Sequence, residues 1–152
     1  MKDDILPPEG VGRPDPVAFG RSLGPGLGLN LLVRDVEAAA RWQVSVLGAS
    51  VRYWDRDFAI VEAYGSVWML HHDRTYRNHA LTGVINGAEG RGPGVELRLY
   101  GCDPDRAAER AEPTGGFVLA GAADKPHGAR EAFLIDPEGY CWVPTVPDTD
   151  QR

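Results

Sequence analysis

The sequence predicts an α+β domain built from two similar halves, each a strand, a helix and three further strands. Three observations carry this. Short runs alternate apolar residues with polar or small ones, the period of a strand with one buried face. Each half has an Asp followed by an Ala-rich, helix-forming stretch, as a capped helix requires. A single offset also superimposes the halves. Asp35 and Asp103 lie 68 residues apart (103 − 35), and the same shift carries Leu29 to Leu97, Leu31 to Leu99, Ala39 to Ala107, Ala40 to Ala108 and Gly48 to Gly116. Strand, cap and helix end match together, which points to an internal duplication.

The elements follow in order. Residues 1–26 alternate Pro7, Pro8, Pro14, Pro16 and Pro25 with Gly10, Gly12, Gly20, Gly24 and Gly26. This composition breaks regular structure and reads as a tail, or as an arm across a partner subunit anchored by Val17, Ala18 and Phe19. The domain proper is expected over 27–146. Its first module, 27–72, opens with a strand in which Leu29, Leu31 and Val33 form the apolar face. A helix runs from its Asp35 cap to about Val46 and ends at Gly48; Gln43 interrupts its apolar side. Strands are expected at Ser50–Trp54, Phe58–Ala63 and Val67–His71, with turns at Asp55–Asp57 and Tyr64–Ser66. A polar, Gly-rich linker spans 73–93, and the second module spans 94–146. In it, Val95–Tyr100 reads as a strand, Asp103 caps a helix to about Glu112, and Phe117–Leu119, Glu131–Ile135 and Tyr140–Val143 read as strands. Residues 147–152 form a C-terminal tail.

Composition narrows the class. A chain of 152 residues suits one domain with a core of its own. A net charge of −6 argues against nucleic acid as a partner. Apolar runs reach only about six residues, too short for a membrane span, and no secretion signal is apparent. Cys102 and Cys141 form no CxxC pair, so two free thiols in a reducing, cytoplasmic setting are expected.

The segment LNLLVRDVEAAARWQVSVLGASV resembles the opening strand and helix of the vicinal oxygen chelate superfamily, which includes glyoxalase I, bleomycin-resistance proteins and extradiol dioxygenases. GVELRLYGCDPDRAAERA is similar to the repeated strand and helix. PHGAREAFLIDPEGYCW is similar to the closing hairpin, with its DPxG turn at Asp136–Gly139. The resemblance covers about residues 27–146. It implies two βαβββ modules whose open, mixed sheet curls around a cavity, and a homodimer.

It also implies where a metal would sit. Metal-dependent members carry His, Gln or Glu at four strand positions facing the cavity. These positions fall here on Gly28, Met69, Glu96 and Val143. Only Glu96 can ligate a divalent ion, and one carboxylate does not hold a metal. No cofactor is therefore expected; a divalent metal is the alternative, in a displaced site. Positions two apart share a strand face, so Asn30, His71, Glu96 and His127 could supply it.

Several residues are candidates for a ligand pocket. His71 shares a face with Met69 and could serve as a general base oriented by Asp73 or Glu96. Glu96 and Arg98 occupy the polar face of a strand whose other face is Val95, Leu97 and Leu99. They form either an ion pair, with each other or with Glu62, or a polar pocket floor. Arg130 and Glu131 carry the same ambiguity, while His72 and Arg74 read as loop solvation. Trp68 and Trp142 alternate away from the metal-equivalent positions and are expected under the helices. Trp54 and Tyr100 are the aromatic pocket candidates. Cys141 either packs or lines the cavity.

The expected ligand-binding set is thus Asn30, Trp54, His71, Glu96, Arg98 and Tyr100, with no metal ligands. Lost metal positions and many strand aromatics favour a metal-free protein that binds a small molecule, with drug sequestration, as in the bleomycin-resistance branch, as the form expected. The acidic chain suggests a cationic or aromatic ligand. The alternative is a lyase, isomerase or dioxygenase with a remodelled metal site, in which His71 and Glu96 are catalytic.

Overall fold

The structure, a computed structural model, describes residues 4–85 and 90–149. Residues 1–3 of the expected arm, Gly87 of the expected linker and residues 150–152 of the expected tail lie outside these. A short helix, α1 (Pro16–Ser22), precedes the first strand. The first module runs β1 (Asn30–Val33), α2 (Val36–Leu47), β2 (Ser50–Trp54), β3 (Phe58–Ala63) and β4 (Ser66–His72). A 3-10 turn (Asp73–Tyr76) and one helical turn, α3 (Thr82–Ile85), lie in the connection. The second module runs β5 (Glu96–Tyr100), α4 (Pro104–Ala111), β6 (Phe117–Asp124), β7 (Ala129–Ile135) and β8 (Cys141–Pro147).

The modules repeat one topology. Each is an open, four-stranded mixed sheet, in the orders β1-β4-β3-β2 and β5-β8-β7-β6. In both, the first strand runs parallel to the last and the other pairs are antiparallel. The helix caps are those the sequence indicates. The Asp35 carboxylate accepts from Ala38 N at 3.0 Å, and Asp103 accepts from Asp105 N and Arg106 N. Gly48 closes α2 at φ 70°, in the left-handed region that glycine enters without strain.

The second module departs from the repeat at its helix end. A 3-10 turn follows α4, and the left-handed residue is Gly115, at φ 96°, not Gly116. Gly116 has a different reason to be glycine. A Cβ there would lie 2.6 Å from Trp42 Nε1 and 3.0 Å from two carbonyl oxygens.

Both helices pack in one core between the sheets. Leu31, Trp68 and Leu70 of the first sheet share it with Leu99, Leu134 and Trp142 of the second. Trp68 and Trp142 meet with ring centroids 5.3 Å apart, under the helices as expected. Their indole N–H groups donate to Gln43 Oε1 and Asp136 Oδ2, each at 2.9 Å. That bond explains a glutamine on the apolar side of α2, since a buried indole N–H needs an acceptor.

A polar seam ties the modules. Glu138, in the DPxG turn, accepts from Arg34 N, Asp35 N and Arg34 Nε. Arg91, from the linker, is buried; it donates to both oxygens of Asp73 at 2.5 and 2.6 Å and to the Leu32 carbonyl. The Tyr140 hydroxyl donates to the same carbonyl at 2.8 Å.

The arm hugs its own chain. Leu6 is buried in the core, Trp54 Nε1 donates to Pro7 O at 2.6 Å, and Gly10 N donates to Trp54 O. Phe19 of α1 meets Phe58 edge-on. Leu6 and Phe19 therefore anchor the arm; Val17 is exposed and Ala18 is not buried. No helix among the described residues is long and apolar enough to cross a membrane. Both cysteines are free thiols.

Candidate functional site

Strand register decides which side chains can reach a ligand. In the first sheet, Leu31, Leu70, Ala59 and Trp54 lie side by side and face the helices. The neighbouring positions, Asn30, Leu32, Met69, His71, Phe58 and Ile60, occupy the opposite, concave face. Tyr53 joins them, because β2 slips register between Val51 and Tyr53. Such a bulge reverses the alternation. This corrects Trp54 as a pocket aromatic: it is buried in the core against the arm, and Tyr53 takes its place on the concave face.

A cavity of about 450 Å³ lies over the concave face of the first sheet. Phe58, Met69, His71, Asp57 and Thr75 form its floor and one side. Arg13, Pro14, Pro16, Phe19 and Leu23, all from the arm, form the rest. His71 is half-buried, with Phe58 at 5.0 Å and Tyr76 at 5.5 Å between ring centroids. Burial lowers its pKa, so the neutral imidazole prevails at neutral pH. Neither Asp73 nor Glu96 orients it: Asp73 is held by Arg91, and Glu96 pairs with Arg98 at 2.8 Å.

The other histidines nearby serve the loop. His72 Nδ1 accepts from Arg74 N, and His79 Nδ1 accepts from Leu81 N. Arg74, expected only to solvate the loop, binds Asp57 of the turn between β2 and β3.

The second sheet has a concave face of its own. Glu96, Cys141, Ile135 and Phe133 line an open cavity of about 830 Å³ with Val95, Leu119 and the Gly90–Gly94 segment. Arg98 lies on the same face, between two carboxylates. It donates to Glu96 and, in a closer contact, to the buried Glu131; His127 stands 3.6 Å from Glu131. The ion-pair expectation for Glu96 and Arg98 thus holds, with Glu131 as third member in place of Glu62, which pairs with Arg52. Arg130 is held by Asp105 and Asp124. Tyr100 is on this face but exposed, at the end of an edge strand.

The expected polar cluster is therefore split. The helix faces of both sheets meet in one core, so their concave faces turn away from it. Asn30 and His71 belong to one face; Glu96, Arg98, Tyr100 and His127 belong to the other. A cleft of about 510 Å³ between the modules brings Val67 of the first face to Glu96 and Arg98 of the second, but neither Asn30 nor His71 lines it. The metal positions fit no metal: Met69 lies in the first cavity, Val143 is fully buried under the second face, and Gly28 has no side chain to offer. Among the described residues no three His, Cys, Asp or Glu side chains group as ligands.

Sequence reasoning passed over the arm's contribution. Phe19 is the arm's sole aromatic, and Phe58 pairs with His71 across the strands; together they mark the cavity.

Compared by sequence, the chain matches no family model and no curated protein. Its fold has many solved counterparts. A glyoxalase-related enzyme from Fulvimarina pelagi shares 20% identity at a TM-score of 0.64, over 82% of this chain and 88% of that one. A glyoxalase/bleomycin resistance protein/dioxygenase from Nocardioides shares 21% at 0.60, over 90% and 94%. The bleomycin-binding protein of Streptomyces verticillus, solved with copper(II)-bleomycin, shares 23% at 0.53, over 83% and 100%. The fold is that of the glyoxalase/bleomycin-resistance/dioxygenase structures.

Proposed function

We propose that the protein binds a small molecule in the cavity between its arm and its first sheet, without a resident metal. The observation that carries this reading is the cavity's lining. About 450 Å³ of space, walled by Phe19, Leu23, Phe58 and Met69 with His71 as its imidazole, has the size and mixed character of a ligand site. The donor set argues in the same direction, because Met69 stands where a metal ligand would be needed. Sequestration of a drug-like molecule is the form this binding takes in our reading, and a bleomycin-binding protein of the same fold is an analogue in kind. Fold alone does not fix function, so the cavity bears the weight.

A cytoplasmic homodimer belongs to the same proposal. Phe117 and Leu119 are exposed on the open second face, an apolar surface that a second subunit would cover.

The experiment is elemental analysis of the purified full chain, paired with native mass spectrometry against a panel of aromatic compounds. The reading expects metal far below one equivalent and at least one compound retained as a one-to-one adduct per chain. One equivalent of Zn, Ni, Fe or Mn, with ligand retention lost on chelation, would overturn it in favour of a metal-dependent enzyme.

A further inference from the structure

The charged groups of the arm cavity differ in how far they are already committed. Asp57 binds Arg74. Asp55, just behind it, accepts from the Tyr53 hydroxyl at 2.5 Å and from the backbone N–H groups of Asp57 and Phe58 at 2.8 and 2.9 Å. Asp15 accepts from Ala18 N. Each carboxylate near the cavity is thus occupied by donors. Arg13 is different. It lines the cavity, and among the described residues its guanidinium makes no hydrogen bond and no ion pair within 4.0 Å; its charge reaches Asp55 only at longer range, helping to keep that carboxyl low. An arginine holds five N–H donors in a planar fork that matches a carboxylate.

The rest of the lining fixes the body of the ligand. Phe19 and Phe58 offer an edge-to-face pair of rings, and Met69 offers a polarisable side chain at the floor. These surfaces suit a flat ring. His71 is mainly neutral and supplies a hydrogen bond, not a charge.

We propose that this cavity takes a flat aromatic compound bearing one carboxylate or similar anionic group, with Arg13 as its counter-ion and the ring packed against Phe19 and Phe58. The proposal rests on the small-molecule reading above and gives it a ligand class. It reverses the charge suggested by the net −6 of the chain, because the local supply of free donors, not the total charge, decides what the cavity can pair.

The geometry also says how such a ligand enters. Leu6 and Pro7 fix the arm's beginning at Trp54, and Gly10 and Gly12 follow at φ 73° and 74°. Beyond them α1 has no buried residue. Arg13 and Phe19 sit on this lightly held stretch, so the ligand's anionic group and its ring would both bind the same strap and draw it onto the sheet.

The test is calorimetric titration of the full chain with three probes of one size: 2-naphthoate, 2-naphthylmethylammonium and the neutral 2-naphthalenemethanol. Naphthoate is expected to bind tightest. Arg13→Gln should weaken naphthoate about tenfold or more, the scale of a lost charge-assisted hydrogen bond, and leave the neutral probe within about twofold. Arg13→Lys should restore part of the loss. Arg13 is exposed, so neither variant threatens the fold. If the neutral probe and naphthoate bind alike and Arg13→Gln changes neither, the anionic class is wrong while the cavity stands. If the ammonium probe binds tightest, the ligand is a cation and the proposal is overturned. If none of the three binds, the cavity reading itself fails, and this proposal with it.

Discussion

Phe19 of the arm meets Phe58 of the first sheet edge-on, with ring centroids 6.4 Å apart and planes at 73°. This contact joins the segment with the least regular sequence to the face that carries His71, and it turns an open sheet into a walled cavity. Phe19→Ala removes it. The core stays intact, so global stability should fall by only about 1 kcal/mol. Amide exchange across residues 13–23 should rise markedly, which hydrogen-exchange mass spectrometry would register. Unchanged exchange there would show that other contacts hold the arm.

Trp54 makes the second attachment. Its indole donates to Pro7 O at 2.6 Å while its ring is buried in the core. Trp54→Phe keeps most of the ring and deletes the donor. A loss of about 1 kcal/mol is expected by denaturant unfolding, with exchange rising over residues 6–12.

Arg91 fastens the linker through Asp73 and the Leu32 carbonyl. Arg91→Met would strip Asp73 of its bidentate partner in a buried seam, while the Leu32 carbonyl keeps the Tyr140 hydroxyl and Glu138 keeps Arg34. The expected cost is about 2–3 kcal/mol, below that of a wholly buried pair because Asp73 keeps some contact with water. Thermal unfolding of the variant beside Asp73→Asn would check it.

Burial lowers the pKa of His71 in the folded chain. Below the ordinary histidine pKa of about 6.5 the unfolded chain takes up a proton that the folded site resists. Stability should therefore decline as pH falls from about 7 towards 5, through protons bound by the unfolded state. His71→Gln should flatten this slope relative to the parent. Parallel slopes in urea unfolding across that range would contradict the burial of His71.

Gly116 tests the packing of the modules. An added Cβ meets Trp42 Nε1 and two backbone carbonyls, none of them a flexible chain end. Gly116→Ala should cost about 2 kcal/mol or more by overpacking, although the offset of the repeat equates this residue with the left-handed Gly48.

Much of the fold was legible because the duplication is local. Asp caps, terminal glycines and alternation each depend on a few neighbouring residues, and β2 and β3 fall on the expected bounds. Other features rest on contacts distant in sequence. The slip between Val51 and Tyr53 exchanges the faces of Tyr53 and Trp54, and no alternation pattern announces it. Gln43 looks like a break in an apolar face until Trp68 is seen to need its oxygen. Of the candidate site, strand parity set Asn30 beside Met69, His71 on the concave side, and Glu96 with Arg98. It could not reveal that the two concave faces turn apart, since that follows from how the modules pack. Nor could it place the arm: Pro and Gly mark where regular structure breaks, not where the chain goes next.

A metal-free ligand site under the arm can be watched directly through Met69. The chain has only two methionines, and Met69 lines the cavity. A methyl-labelled sample therefore places one of its two methionine signals inside the proposed site. Titrating 2-naphthalenemethanol or 2-naphthoate into chelator-treated protein should shift or broaden the Met69 methyl signal saturably, and Phe58→Ala should weaken the response. A Met69 signal that stays fixed while the compound binds elsewhere, or that responds only after a divalent metal is restored, would contradict the account.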